Sequence, residues 1–360
     1  MGENRCETLT MRILILTQAV DTKHPVLSFF HRWIEEFAKH CESVIVICLY
    51  KGKHHLPKNV RVLSLGKEKG VSRLKYLKRF YKYIWKERRN YDSVFVHMNQ
   101  IYVLLGGLLW RLLGKRVALW YAHGSIPFSL LLSIPLSHLV FTSTKYGFRF
   151  KTRKLMIVGQ GIDIDQFPYV ERDSDVISRF MTVGRISPVK NLEILIDTVA
   201  LLHSRDVSCT LDIIGDAQGA SGREYKLQLI ERIRGRDIEN AVTWHGAYPH
   251  VDIPRVISEH DLFLHASKTG SLDKTVLEAF AVGTIPVTCD PTLSEELPEE
   301  IRSLCIAKHD NLDSYVRAVM NIRSLSGIEL ERLRKMGRRY VEDNHSIESL
   351  ITKILYRFIF

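Results

Sequence analysis

The sequence predicts two doubly wound α/β domains, each a parallel sheet with helices on both faces, and three observations carry that expectation. A chain of 360 residues exceeds the size at which one hydrophobic core stops growing. Short β-branched runs alternate with amphipathic stretches, the pattern of βαβ units. A turn-rich segment, GQGIDIDQFPYVERDSD at residues 159–175, separates one such series from a second and reads as the hinge. The expected division is an extension over residues 1–10, a first domain over 11–170 and a second over 171–345, with the amphipathic helix at 346–360 packing back on the first.

Taken in order, the first series reads RILILT, a helix through LSFFHRWIEEFAKH, SVIVICLY, VRVLSLG, a basic helix, SVFVHM, a helix to Leu113, RVALWYAH, HLVFTS and KLMIV. The second reads FMTVG, a helix from Pro188 to about His203, CTLDIIG, a helix over REYKLQLIERIRG, AVTWHG, DLFLHA, a helix from about Lys274, then TIPVTC and RSLCIA as strands. In open parallel sheets ligands sit beyond the carboxyl ends of the strands. Two such sheets facing across a cleft suit a reaction between two separately bound substrates.

Composition narrows the class. Hydrophobic residues make up 46% and charged residues 25%, which excludes a disordered chain. The six cysteines are scattered with no CxxC pair and no histidine at metal-ligand spacing, so a reducing compartment and no zinc are expected. The opening MGENRCETLT lacks the apolar core of a secretory signal. Neither LLGGLLWRLLG (104–114) nor the proline-broken IPFSLLLSIPLSHLVF (126–141) reads as a membrane span.

Charge is uneven. Residues 1–170 hold 27 Lys and Arg against 11 Asp and Glu, whereas residues 171–360 hold 24 against 29. The basic excess is densest over 72–89, SRLKYLKRFYKYIWKERR, where Leu74, Leu77, Tyr81, Ile84 and Trp85 recur at helical spacing among cations. That stripe suits either the core or the headgroup level of an anionic membrane. No nucleic-acid motif accompanies the charge.

Two motifs carry chemistry. After strand FMTV come Gly184, Arg185, Ile186, Ser187, Pro188, Val189 and Lys190, a strand–turn–helix junction with two cations at a helix start, where a diphosphate is the natural guest. After strand DLFLHA come a polar turn and a helix carrying Glu278 about one turn in, a carboxylate placed to accept both hydroxyls of a ribose. Spacing alone leaves the first motif open to being a plain helix start, and Glu278 open to being an ordinary surface glutamate. Asp163 and Asp165 invite a divalent cation, but two carboxylates make a weak motif, and no metal is expected.

The stretches GQGIDIDQF, VGRISPVKNLEILIDTVALL, LDIIGD, VTWHGAYPHVDIPRVISEHDLFLHAS and VLEAFAVGTIPV, in this order, resemble family 4 of the retaining glycosyltransferases with the GT-B fold. The resemblance covers nearly all of the C-terminal half and the N-terminal half only in outline. It implies transfer of a sugar from a UDP- or GDP-linked donor to an acceptor hydroxyl without a metal, Arg185 and Lys190 holding the diphosphate together with Gly184, and Glu278 the ribose. The first glutamate of the family's E-x7-E motif falls on Gly270, so donor-sugar contacts are assigned to the run Gly270, Ser271, Leu272, Asp273, Lys274, Thr275 and Val276. Gly246 and Tyr248 fall near the nucleobase. His123, at the end of strand RVALW, is the candidate sugar or phosphate contact on the N-terminal side, with a strand-capping histidine as its plain alternative. The family's glycine-rich loop after the first strand is missing.

A lipid-linked or cell-envelope saccharide, met at the inner face of the cytoplasmic membrane, is the expected acceptor. A nucleotide-sugar epimerase and a nonenzymatic nucleotide-sugar-binding or membrane-adaptor protein are the alternatives.

Overall fold

The computed structural model describes residues 9–24, 27–172, 175–267 and 272–359. The chain divides into two compact units, one of residues 1–161 together with 347–360, the other of residues 162–346. The boundary falls at Gly161/Ile162, earlier than the 170/171 expected, because Ile162 already donates its N–H to the His345 carbonyl (2.7 Å) and Phe167 lies in the second core.

The first unit contains β1 (Leu9–Val20), α1 (Phe30–His40), β2 (Cys41–Lys51), β3 (Val60–Ser64), α2 (Arg73–Lys86), β4 (Ser93–His97), α3 (Ile101–Leu112), β5 (Arg116–Trp120), α4 (Phe128–Leu136), β6 (Leu139–Thr142) and β7 (Leu155–Ile157). Its seven strands are parallel in the order β3-β2-β1-β4-β5-β6-β7. Since β1 starts at Leu9, residues 9 and 10 belong to the sheet and not to an extension.

Side chains alternate across β1 as the pleat requires: Ile13 and Ile15 enter one core, Leu14 and Leu16 the other. The first core is covered by α1, whose Phe30, Trp33, Ile34 and Phe37 recur at helical spacing. The second is covered by α2, α3 and α4 through Phe80, Ile84, Val103, Trp110, Leu130 and Ile134. The basic helix departs from the expected stripe here. It buries Phe80 and Ile84, while Leu74, Leu77, Tyr81 and Trp85 face solvent.

The second unit contains β8 (Arg179–Val183), α5 (Leu192–His203), β9 (Thr210–Ile214), α6 (Gly219–Arg234), β10 (Val242–Gly246), α7 (Ile253–Ser258), β11 (Leu262–His265), α8 (Lys274–Val282), β12 (Ile285–Thr288), α9 (Pro291–Glu296), α10 (Glu299–Cys305), α11 (Leu312–Arg323) and α12 (Gly327–His345). Its five strands are parallel in the order β10-β9-β8-β11-β12. Helix α8 is buried at every position from Val276 to Val282, and α12 packs on it so closely that a Cβ on Gly337 would stand 2.3 Å from Phe280. A last helix, α13 (Ile347–Ile359), returns to the first unit, where Leu350, Ile351, Ile354, Leu355 and Phe358 join the core beneath α1.

Two local expectations are corrected. RSLCIA is no strand: residues up to Cys305 form α10, started by Pro298 with Glu299 and Glu300 in the first turn, where carboxylates favour a helix. Only Ile306 bridges to Thr288. The helix expected from Pro188 is a short 3₁₀ turn, Pro188–Lys190, closed by Asn191 in the left-handed region (φ 50°), and α5 proper starts at Leu192.

Candidate functional site

In both sheets the first strand of the unit lies in the interior and the chain winds outward from it in two directions. In the second unit the change of direction falls between the neighbours β8 and β11. Ligands bind in open α/β sheets at such a point, outside the carboxyl ends of the strands. The polypeptide leaves β8 through Gly184 and Arg185 and leaves β11 through His265 and Ala266, and a small recess there is lined by Thr182, Gly184, Arg185, Lys190, Ile213 and His265.

Strands β8 and β9 are each followed by a glycine, and β10 ends on one. Gly184 donates its N–H to the Ile214 carbonyl (2.9 Å) and Gly215 donates to the Gly246 carbonyl (2.7 Å), so Gly184, Gly215 and Gly246 form a row along the sheet's edge. Tyr248, two residues beyond Gly246, is half-buried against the core with its ring 6.3 Å from that of His245.

Arg185 is exposed and forms no hydrogen bond or ion pair with the described residues. Lys190 is held: its Nζ donates to Oδ2 of Asp273. The amides around them are largely committed. Lys190 N–H bonds to Ser187 O, Asn191 N–H to Pro188 O, and Leu192 N–H, the first of α5, to the Tyr225 hydroxyl (3.0 Å). This helix start therefore presents mainly its cations.

Asp273 precedes α8, and its Oδ2 also accepts from Nε2 of His265 (2.8 Å). Burial alone would push the Asp273 carboxyl up, but the His265 hydrogen bond and the charges of His265 and Lys190 hold it well below the usual carboxylate range. His265 is itself fixed, since its Nδ1 pairs with the Thr288 hydroxyl (2.8 Å) and its carbonyl accepts from the Tyr315 hydroxyl (2.8 Å). Sequence reading passed over His265. The signal available was its place at the carboxyl end of a strand beside the reversal in strand order.

Along α8, Lys274 is brought down to about 8 by burial, partly offset by the charge of Glu278. Glu278 is buried, not a surface residue, and its Oε1 lies 3.9 Å from Nε2 of His250. The nearby Glu278 carboxylate raises the His250 imidazole above its ordinary value against the effect of burial. Leu272 and Val276 belong to the hydrophobic core by their side chains, and the Val276 amide is already bonded to the Asp273 carbonyl (3.2 Å). Thr275 lies in the first turn of α8, half-buried. Gly270 and Ser271 lie outside the described residues.

His123 belongs to the other unit. It lies beyond the end of β5, exposed, and its Nδ1 accepts from the Ser125 N–H (3.0 Å) and pairs with the Ser125 hydroxyl (2.8 Å). Asp163 is buried and Asp165 exposed, so the two carboxylates do not share an environment. Among the described residues no group of three His, Cys, Asp or Glu side chains could hold a metal ion.

Two parallel α/β units, each with its first strand in the interior of the sheet, place this chain in the GT-B class of fold. Solved structures agree over nearly the whole length. HepE of Anabaena in complex with UDP superposes with a TM-score of 0.74 at 17% identity, covering 97% of this chain and 100% of that one. Sucrose-phosphate synthase of Thermosynechococcus elongatus gives 0.70 at 14% identity over 97% and 99% of the two chains. Residues 175–340 match the family model of the glycosyl transferases group 1. A curated relative, mannosylfructose-phosphate synthase of Agrobacterium fabrum, is 25% identical over 175 residues, 48% of this chain. The match spans only 37% of that relative.

Proposed function

We propose that the chain transfers a sugar from a nucleoside-diphosphate sugar to an acceptor hydroxyl with retention of anomeric configuration. The observation that carries this reading is the meeting of two motifs at adjacent strand ends: of the two cations after β8, Lys190 is tied through Asp273 to the start of α8, which carries Glu278 one turn further on. Cations there stabilise the charge that grows on the departing diphosphate as the glycosidic C–O bond breaks through an oxocarbenium-like state. Glu278 receives the ribose hydroxyls, and Gly246 and Tyr248 flank the base. The acceptor attacks on the face that the leaving group vacates, and a leaving-group phosphate oxygen takes its proton. That HepE has been solved with UDP and with UDP-glucose supports a UDP-linked donor.

Thermal-shift measurements with UDP, GDP, ADP and their sugar conjugates identify the donor, because a ligand bound only by the folded state raises the melting temperature. With that donor, Arg185→Ala and Lys190→Ala each cut transfer strongly, and NMR of the product reads its anomeric configuration. Wild-type turnover in either variant sinks the reading. An isomerised donor formed without acceptor makes the protein an epimerase, and binding without turnover makes it a nonenzymatic binder.

The acceptor in this reading is a lipid-linked or cell-envelope saccharide at an anionic membrane surface. The outer face of α2, α3 and α4 supports it: Leu74 (78% exposed), Leu108 (63%), Leu112 (77%) and Phe128 (73%) stand out among exposed Lys75, Lys78, Lys82 and Lys86. Tyr81 of α2 ties the first two helices together, donating its hydroxyl to the Leu105 carbonyl (2.9 Å). Apolar side chains interspersed with cations suit the headgroup level of an anionic bilayer. Among the described residues no helix is long and apolar enough to cross a membrane, so this contact would be peripheral.

A further inference from the structure

Between Asp92 and Asp163 the sequence has no aspartate or glutamate, and the loop that follows β6 carries the cations Lys145, Arg149, Lys151, Arg153 and Lys154. One of them is used structurally. The Lys154 ammonium donates to the carbonyls of Ile134 (2.9 Å) and Ser137 (2.7 Å), at the end of α4. The other four line an open recess of about 680 Å³ whose apolar walls are Tyr146, Phe148 and Phe150. That volume falls within the range of about 300–1,000 Å³ of small-molecule sites. Arg149, Lys151 and Arg153 are exposed, and their side chains form no hydrogen bond or ion pair among the described residues. The loop beneath them is fixed: Phe148 is buried in the core that holds Leu130 and Ile134 of α4, its ring stands edge-on to Tyr121 at 6.1 Å, and Gly147 donates its N–H to the Thr144 hydroxyl (3.2 Å).

Like charges gathered on a pinned, concave surface with no carboxylate in the lining repel one another until an anion arrives, and such a cleft concentrates anions from solution. Merely solvated cations would not need aromatic rings between them. The two arginines suit phosphate oxygens as bidentate donors, and the two lysines add point charge. Where the recess lies names the carrier of the phosphate. It stands beside the end of α4, the helix whose Phe128 and Leu132 are 73% and 49% exposed, and Phe150 at its own rim is exposed as well. We propose that the recess binds the phosphomonoester headgroup of a membrane lipid, cations around the phosphate and aromatic rings against the apolar body. The inference rests on the reading of the α2–α4 face as a membrane contact and adds a headgroup preference to it. A phosphomonoester brings about −1.5 to −2 charges and three acceptor oxygens at neutral pH, more than the phosphodiesters of the bilayer's anionic background offer.

Co-sedimentation of the full chain compares phosphatidylcholine vesicles carrying phosphatidic acid with others carrying phosphatidylglycerol, at mole fractions that give equal surface charge. The wild-type chain is expected to bind the phosphatidic acid vesicles about tenfold more tightly, the scale of one additional charge-assisted hydrogen bond. Arg149→Gln combined with Arg153→Gln abolishes the preference and keeps the melting temperature, since neither guanidinium has a partner among the described residues. Lys151→Gln alone reduces it. Lys190→Ala, in the other unit, leaves it intact. Equal affinity for the two lipids at matched charge overturns the inference and leaves the membrane reading in place, as does a preference that survives the arginine pair. Loss of the preference in Lys190→Ala would move the phosphate to the nucleotide site and overturns it too. Absence of binding to either vesicle overturns both readings. A soluble arm separates lipid from free phosphate: glycerol phosphate and dihexanoyl phosphatidic acid are titrated calorimetrically into the Lys190→Ala chain. Tighter binding of the acylated ligand, lost when Arg149→Gln and Arg153→Gln are added, is the expected result. Equal affinity for the two makes the recess a site for free phosphate esters and overturns the lipid assignment.

Discussion

Gly215 lies against the backbone of Gly184 so closely that a Cβ on it would stand 1.8 Å from the Gly184 carbonyl oxygen. The φ of Gly215, 137°, is also one that side chains rarely adopt. The ends of β8 and β9 can approach this far only because residue 215 is glycine, and the approach lies one residue before Arg185. Gly215→Ala is expected to cost roughly 2–4 kcal/mol in urea unfolding and to abolish nucleotide binding in whatever fraction still folds. A wild-type unfolding midpoint would show that the turn yields without cost.

Arg185 and Lys190 are expected to part company in stability, though the proposed function assigns both to the same anion. Arg185 is exposed with no partner among the described residues, so Arg185→Ala leaves the melting temperature in place while weakening diphosphate binding. Lys190→Ala leaves the Asp273 carboxylate with one donor fewer and costs about 1–3 kcal/mol as well. Unfolding curves for both variants check this, and equal destabilisation refutes the assignment of partners.

Glu278 is buried on a helix whose remaining turns are apolar, so its carboxylate has a purpose other than solubility. Glu278→Gln keeps the shape and is expected to weaken binding of the ribonucleotide by about tenfold to a hundredfold. It should also erase the difference in affinity between the ribonucleotide and its 2′-deoxy analogue. A variant that still discriminates between the two removes Glu278 from the ribose site.

The contact between His250 and Glu278 makes part of the stability pH-dependent. Because the folded-state value of His250 lies above its ordinary 6.5, the charged imidazole favours the folded chain. That contribution is complete below 6.5 and fades as pH rises through the raised value. His250→Gln should therefore destabilise the protein more at pH 6 than at pH 8.5, by under ~1 kcal/mol because the ring is half exposed. Identical losses at the two values of pH refute the pairing.

The exposed face of α2–α4 predicts co-sedimentation with vesicles containing phosphatidylglycerol and not with phosphatidylcholine alone, weakening as salt rises. Leu108→Glu combined with Leu112→Glu should release the protein from the vesicles without lowering its melting temperature, since neither side chain is in the core. Retention of binding by that double variant would remove the apolar contribution.

Fold class was legible because a parallel strand buried on both faces is a run of β-branched residues that few other structures need, as SVIVICLY illustrates. What escaped the sequence was direction. Periodicity on the basic helix selected Leu74, Leu77, Tyr81, Ile84 and Trp85, yet of these only Ile84 is buried, together with Phe80, and an isolated stripe does not say which flank meets the sheet. RSLCIA reads equally as a buried strand or as a short helix, and Pro298 with two glutamates after it decided for the helix. At the site, Arg185, Lys190 and Glu278 were visible from spacing and resemblance. The Asp273–His265–Lys190 clamp was not, because it joins residues from three separate segments through a strand order that no local pattern encodes.

Helix α13 has a consequence for the order in which the chain acquires its structure. Leu350, Ile351, Ile354, Leu355 and Phe358 complete a core whose sheet is made of residues before Gly161. During synthesis, β1 to β7 leave the ribosome long before their covering helix exists, whereas residues 162–346 are contiguous and need nothing from elsewhere. The unit translated second is thus free to finish first, and the unit translated first waits, one apolar face covered by α1 alone, for its own closing helix to emerge.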